Sequence, residues 1–326
     1  MKKGYFVISL DFEIYWGMRD VVEIDQYKEN LLGVRKAIPA MLQLFSAFDI
    51  NATFATVGFL FFTSKDELLN NLPDKIPVYT NADLSPFTDN FTKVGRNEEE
   101  DPYHFAPSLI KEIKDHGQEI GCHTFSHYYC LEEGQTLEDF KADIMAAKKV
   151  AAKNNISLQS FIFPRNQYNQ SYLEICKQEG ITSFRGNERS GLFSSKNYGS
   201  STALRRPFRL MDAYFNVSGH NCYSVEEMNS SVIINIPSSR FLRPYSKKLA
   251  FLDALRLKRI TKSMTYAAKN GLCYHLWWHP HNFGINLQEN INFLQKILRH
   301  FNTLKEKYDF QSTSMKDLTE KIKNEN

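Results

Sequence analysis

The sequence predicts an α/β protein built on parallel strands, and three observations carry that prediction. Short apolar runs rich in β-branched and aromatic residues recur at 5–8, 52–57, 160–163 and 272–277, and runs of that length and makeup read as buried strands. Stretches with helical spacing of apolar residues separate them, so strand, helix and strand follow one another as βαβ units with parallel strands. Polar clusters stand directly after predicted strands: Asp11 and Glu13, His123 and His127, Arg165, and His279 and His281. Parallel α/β folds place their sites at the strands' carboxyl ends, which makes such distant clusters neighbours in space.

Taken in order, the strand Tyr5-Phe6-Val7-Ile8 leads into Asp11 and Glu13. The spacing predicts a helix over 31–45, with Pro39 marking a boundary or kink, and a second strand over 52–57. Residues 63–107 break the rhythm with Pro73, Pro77, Pro86 and Pro102 and the acidic run 98–101, and read as an insertion that is either a lid or substrate rim or a solvated excursion. A helix over 108–116 stops at Gly117, and a strand over 119–122 delivers His123-Thr124-Phe125-Ser126-His127. A helix over 137–154, a strand over 160–163 ending in Pro164-Arg165, a helix over 171–179 and a strand over 182–184 before Arg185 follow. Periodicity is poor from 187 to 230; then come a strand over 232–236, a basic helix over 249–269, a strand over 272–277, and two helices, 286–307 and 314–323, around a short strand at 309–311. No repeat or linker interrupts the chain, so residues 1–326 are expected to form one domain with the 63–107 insertion.

Composition narrows the function classes. A net charge of +3 and a pI near 8.4 are too mild for a nucleic-acid partner, which would call for a clustered basic stripe. Five cysteines, an odd number with no C-x-x-C pair, fit free thiols in a reducing compartment. The apolar run after Lys2 and Lys3 is cut short by Asp11 and Glu13, and no stretch approaches membrane-spanning length, so a cytoplasmic, soluble protein is expected. The assembly state is left open.

The chemistry lies in the clusters. Asp11 and Glu13 are two apart on an extended chain and face the same way, a costly placement for like charges without a cation. Alone, the pair reads first as two solvated loop acids. An H-x-x-x-H pair puts both imidazoles on one face if the turn is helical; adding one carboxylate yields the ligand type of a catalytic zinc or another divalent metal with a position open for water. The second carboxylate is then free to take a proton from that water. Arg165 is either a structural ion-pair residue or the group that holds Asp11 ionised, and His279 and His281 are either core residues or the source of a general acid.

These residues carry a resemblance. The chain resembles the NodB-type polysaccharide deacetylases of carbohydrate esterase family four in Leu10-Asp11-Phe12-Glu13, His123-Thr124-Phe125-Ser126-His127, Phe163-Pro164-Arg165 and Trp278-His279-Pro280-His281. More narrowly, residues 9–17, 163–167 and 275–284 resemble a branch associated with bacterial O-antigen and surface-polysaccharide gene clusters. The resemblance implies a distorted (β/α) barrel of about seven parallel strands and metal-dependent hydrolysis of an N-acetyl group on an amino sugar. It assigns Asp11 as general base, His123, His127 and Glu13 as ligands of a divalent metal, most simply zinc, His279 as general acid, and Arg165 as the residue orienting Asp11. Glu13 stands where the family usually has Asp, and Pro164 precedes Arg165, both departures from its pattern. Tyr15, Trp16, Trp278, His281 and Asn282 are expected to bind substrate. The carrier of the sugar, whether nucleotide, lipid or free chain, is left open.

Two other classes compete. One is a different C–N hydrolase on the same scaffold, of the allantoinase type, some of which act without the metal set; Glu13, His123 and His127 argue against it. The other is a non-catalytic carbohydrate-binding relative with an aromatic rim of Tyr15, Trp16, Trp277 and Trp278, against which the retained base, ligands and acid argue.

Overall fold

The computed structural model describes residues 2–88, 90–189, 205–229 and 231–324. Among the described residues nine strands form one sheet: β1 (Tyr5–Phe12), β2 (Ala52–Thr56), β3 (Glu119–Cys122), β4 (Ser160–Phe161), β5 (Ser183–Phe184), β6 (Ile234–Asn235), β7 (Arg240–Phe241), β8 (Cys273–Trp278) and β9 (Gln311–Ser312). Eight run in the order β6-β5-β4-β3-β2-β1-β8-β7, β9 pairs with β1 off that path, and the paired strands are parallel. No ladder joins β6 to β7 among the described residues. Backbone bonds from Ser238 N to Gly186 O (2.9 Å) and from Ser239 N to His275 O (2.8 Å) tether the connection instead. This parallel half-barrel with surrounding helices is the distorted (β/α) barrel expected, with eight strands along its path rather than about seven.

β1 is buried throughout, and its alternation sorts side chains into two layers. Phe6, Ile8, Leu10 and Phe12 join the core beneath the outer helices, while Tyr5 and Val7 join an inner cluster with Ala55, Ile162 and Ile234. Ser9 and Asp11 share the parity of that inner face, so the strand carries its polar groups into the barrel.

The helix expected over 31–45 runs from Ile24 to Ala47, with Pro39 inside it. A helix-interior proline costs about 3 kcal/mol. Burial of Leu31, Val34, Ile38, Met41, Leu42 and Phe45 outweighs this, at about 1.5–3 kcal/mol each. β7 was not legible in the sequence; a two-residue strand bears no period. Residues 187–230, read as irregular, hold the helices Arg205–Asp212 and Val225–Met228, and 190–204 and 230 of that stretch lie outside the described residues.

The 63–107 segment is anchored at several points. Tyr15 N donates to Tyr103 O (3.4 Å), Trp16 Nε1 to His104 O (2.9 Å), an Arg19 guanidinium nitrogen to Leu84 O (2.6 Å), and the Tyr79 hydroxyl receives Tyr129 N (2.9 Å). It is thereby fastened to the loop after β1 and to the loop after β3.

The helix Ile24–Ala47 also sits directly on the turn Pro280–Phe283 that follows β8. A Cβ on Gly33 would lie 2.2 Å from Gly284 O, so the two backbones meet where no side chain fits. Gly33→Ala should therefore destabilise the fold by about 1–3 kcal/mol, the usual cost of overpacking, read as a lower urea midpoint with unchanged slope.

Candidate active site

At the carboxyl end of β1, Asp11 and Glu13 are both buried, each with only 4% of its surface exposed. They have different partners. Asp11 is gripped by Arg185, directly after β5, with guanidinium nitrogens 2.6 and 2.8 Å from its two oxygens. Arg185 is itself fully buried, donates to Ser9 Oγ (3.1 Å) and Asn166 Oδ1 (3.1 Å), and lies 4.1 Å over the Trp277 ring. Burial alone would raise the Asp11 carboxyl; the charge and hydrogen bonds of Arg185 outweigh it and hold Asp11 below its ordinary value.

Glu13 faces the histidines. His123 Nε2 and His127 Nε2 lie 3.2 and 3.0 Å from Glu13 Oε2, and His279 Nε2 is 3.6 Å from Oε1 and 3.8 Å from an Asp11 oxygen. Against burial, which would raise it, the imidazoles of His279, His127 and His123 hold Glu13 well below its ordinary value. Burial in turn lowers His127 to about 4, which leaves it neutral near pH 7. His123 Nδ1 sits 2.8 Å from Ile162 O and donates there, which holds the ring with Nε2 turned toward Glu13.

The H-T-F-S-H turn is not helical. Thr124 and His127 have positive φ (64° and 58°), and Asp143 accepts the backbone N–H groups of Phe125 (2.6 Å) and Ser126 (3.1 Å) and the Ser126 hydroxyl (2.5 Å). Burial pushes the Asp143 carboxyl up to about 6 against the pull of these donors. The imidazoles meet because this carboxylate shapes the turn, where the spacing alone suggested a helix.

One atom from each of Glu13, His123 and His127 falls within 4.8 Å of the others, and all three residues are buried. A carboxylate and two imidazoles converging in this way fit a divalent cation.

Several expected roles are corrected. Arg165 does not reach Asp11: it pairs with Asp20, lies 3.6 Å from Glu132 and stacks 4.0 Å over Tyr129. The backbone turns left-handed at Arg165 and Asn166 (φ 55° and 53°), which carries Arg165 away and brings Asn166 to Arg185. Arg185 was missed, although its place immediately after a strand was visible. Trp16 and Trp278 are fully buried and cannot stack a sugar: Trp16 packs on Phe59, and Trp278 on Phe45 and Phe283. Tyr15, 6% exposed, meets the edge of His104. His281 is buried beside His279, its Nδ1 without a partner, and burial first and the charge of His279 next lower it to about 3. Asn282 serves His279, with Nδ2 3.3 Å from the imidazole Nδ1, and accepts the Tyr27 hydroxyl at 3.2 Å.

Barrel and site define a hydrolase class with a carboxylate–bis-histidine centre beside an arginine-held aspartate. Residues 25–184 match the family model described as polysaccharide deacetylase. No curated protein matches the chain. A solved structure titled a putative polysaccharide deacetylase from Mycobacterium smegmatis is similar in fold, with 11% identity, a TM-score of 0.62, and 99% of this chain and 91% of that one covered. A probable polysaccharide deacetylase from Pseudomonas aeruginosa PAO1 (8% identity, TM-score 0.56, 97% and 89% covered) and Puue allantoinase (9%, 0.55, 97% and 88%) share the fold as well. Residues 25–184 thus match the polysaccharide deacetylases, hydrolases acting on amide C–N bonds, and the chain as a whole shares the fold of solved structures so named. The family match begins after Asp11 and Glu13 and ends before Arg185 and His279, so of these six residues it takes in His123 and His127 alone.

Gly17 tests the centre. A Cβ there would lie 2.0 Å from the Glu13 carboxyl carbon, so Gly17→Ala must displace that carboxylate. Metal titration of the variant should show affinity lowered on the order of 10- to 100-fold, the range for losing a ligand's support; unchanged affinity would remove Glu13 from the ligand set.

Proposed function

We propose that the protein removes an N-acetyl group from an acetylated amino sugar, an intermediate of bacterial surface-polysaccharide (O-antigen) biosynthesis. The observation that carries this reading is the convergence of an arginine-held Asp11, the Glu13–His123–His127 set and His279 at one end of the barrel. Likeness of residues 9–17, 163–167 and 275–284 to the surface-polysaccharide branch supports the pathway. Free thiols at all five cysteines are consistent with a cytoplasmic enzyme, and no helix among the described residues is long and apolar enough to cross a membrane.

Glu13, His123 and His127 would hold the divalent ion, proposed as zinc from its ligand type. When bound, that ion supplies charge to polarise the amide carbonyl and to acidify the attacking water. Asp11, kept ionised by Arg185, accepts the proton from that water as it adds to the carbonyl carbon. His279 Nε2, near both carboxylates and part-exposed, gives a proton to the departing amine nitrogen, and the C–N bond breaks to leave acetate and a free amino sugar. Arg165, part-exposed above the fully buried Tyr129 ring, lies beside the site, where the guanidinium rather than the ring can meet the sugar.

The allantoinase-type alternative is disfavoured by the intact ligand set. The non-catalytic alternative is left with Trp277 from its expected rim, since Tyr15, Trp16 and Trp278 are buried.

Purified, metal-loaded protein screened against acetylated nucleotide-sugars and lipid-linked acetylated sugars should release acetate from one class. Asp11→Asn should retain metal yet lose turnover, because an amide cannot accept the proton, whereas Glu13→Ala should lose metal and activity together. Metal analysis of both variants decides it: metal lost from the Asp11 variant and kept in the Glu13 variant would exchange the roles.

His279→Ala should keep metal and slow turnover by roughly 10²- to 10⁴-fold, the range for loss of a general acid, with His281→Ala milder. The reverse ranking at equal metal content would move the acid to His281.

A further inference from the structure

Positive charge and exposed apolar surface gather on one flank of the barrel. Residues 247–270 hold five exposed lysines, Lys247, Lys248, Lys258, Lys262 and Lys269, while Arg256 and Arg259 are buried behind them. The acids beside them are engaged: Asp212 lies 2.9 Å from Arg240 and 3.6 Å from Arg259, and Asp253 lies 3.0 Å from Arg256. Residues 205–217 and 247–270 lie side by side, since Arg259 also donates to Gly219 O (2.5 Å) and the His220 ring stacks on Tyr266 at 4.6 Å. Lys258, Lys262, Tyr266 and Lys269 are exposed along one face of the helix Asp253–Asn270, and Lys247 and Lys248 stand exposed just before it. His220, behind that face, is held below its ordinary value by burial and by the charges of Arg259, Arg240 and Lys262.

The same flank exposes Phe208, Met211, Phe215 and Val217 on one segment and Phe251, 78% exposed, on the other. Seven of the fifteen large hydrophobic residues that are exposed among the described residues fall in these two short segments. One exposed phenylalanine calls for no explanation. Interleaved aromatics and unpaired lysines on one surface do, because they match a single environment: apolar side chains sink to the headgroup boundary while lysines reach the lipid phosphates. A nucleic acid would answer the charge and leave the phenylalanines in water. A neutral apolar partner would cover the phenylalanines and bury uncompensated charge.

We propose that the flank formed by residues 205–217 and 247–270 docks on the surface of a bilayer containing anionic lipid. The chain lies on such a surface rather than crossing it.

Sedimentation of the full chain with phosphatidylcholine vesicles, with and without phosphatidylglycerol, tests this. Binding should be about tenfold or more tighter with phosphatidylglycerol and should weaken as salt is raised. A Lys258→Glu/Lys262→Glu variant should lose the preference for anionic vesicles, and a Phe215→Ser/Phe251→Ser variant should lose binding at moderate salt. All four side chains are solvent-exposed, so melting temperatures should match the parent. No vesicle binding by the parent overturns the proposal, as does equal binding by both variants, tighter binding to duplex DNA than to anionic vesicles, or a phenylalanine variant that only abolishes self-association. Vesicle binding is read without turnover, so its failure leaves the deacetylase reading standing.

Discussion

Two carboxylates, two positions apart and both out of water, are the constraint on which the rest of the structure depends. An unpaired buried charge costs about 3–5 kcal/mol, and two like charges side by side cannot both stay ionised without separate partners. The fold supplies one partner set to each. Arg185 takes both oxygens of Asp11, and the imidazoles take Glu13. Arg185 follows β5, four strands from β1 in the sheet order. In a flat sheet those strands would stand about 19 Å apart at the usual spacing, far beyond an arginine's reach. Contact at 2.6 Å therefore requires the curl of the half-barrel, and the ion pair in turn ties its two sides together.

The supporting groups follow from the same requirement. Asn166 accepts from Arg185 through a loop with two consecutive left-handed residues, a backbone cost incurred beside the pair it steadies. Ser9 Oγ receives Arg185 on one side and lies 2.8 Å from His275 Nε2 on the other, while His275 Nδ1 reaches Ile236 O. A polar column thus runs down the inside of β1 with its groups paired across to β5 and β8. Mutating any one member leaves a buried donor or acceptor bare, so these residues act as a unit.

Much of this was legible in the sequence because parallel α/β topology converts position after a strand into position in space. Asp11, Glu13, His123, His127 and His279 were picked out on that ground, and the structure brings them together. The choice between Arg165 and Arg185 was not legible in the same way. β4 ends at Phe161 and Arg165 comes four residues later, past Pro164, where the chain has already turned; β5 ends at Phe184 and Arg185 continues its direction inward. Proximity to the strand's end was the usable signal, and the motif likeness drew attention elsewhere. Trp16 and Trp278 misled for a different reason: an aromatic residue beside a site is as readily core as rim, and one-dimensional spacing near a bend does not say which way it points.

His279 depends on a neighbour no pattern would single out. Tyr27 has a hydroxyl proton to give, and Asn282 Oδ1 receives it, so the amide turns its NH₂ toward His279 Nδ1. The ring is thereby held with Nε2 directed at Asp11 and Glu13. Tyr27 lies on the helix Ile24–Ala47, the same helix whose Gly33 rests on the turn after β8. One helix thus sets the height of the His279 turn through its backbone and the ring's orientation through a side chain. Binding of that helix to the turn is accordingly part of the proton-handling arrangement, and the site extends one layer outward from the residues that touch it.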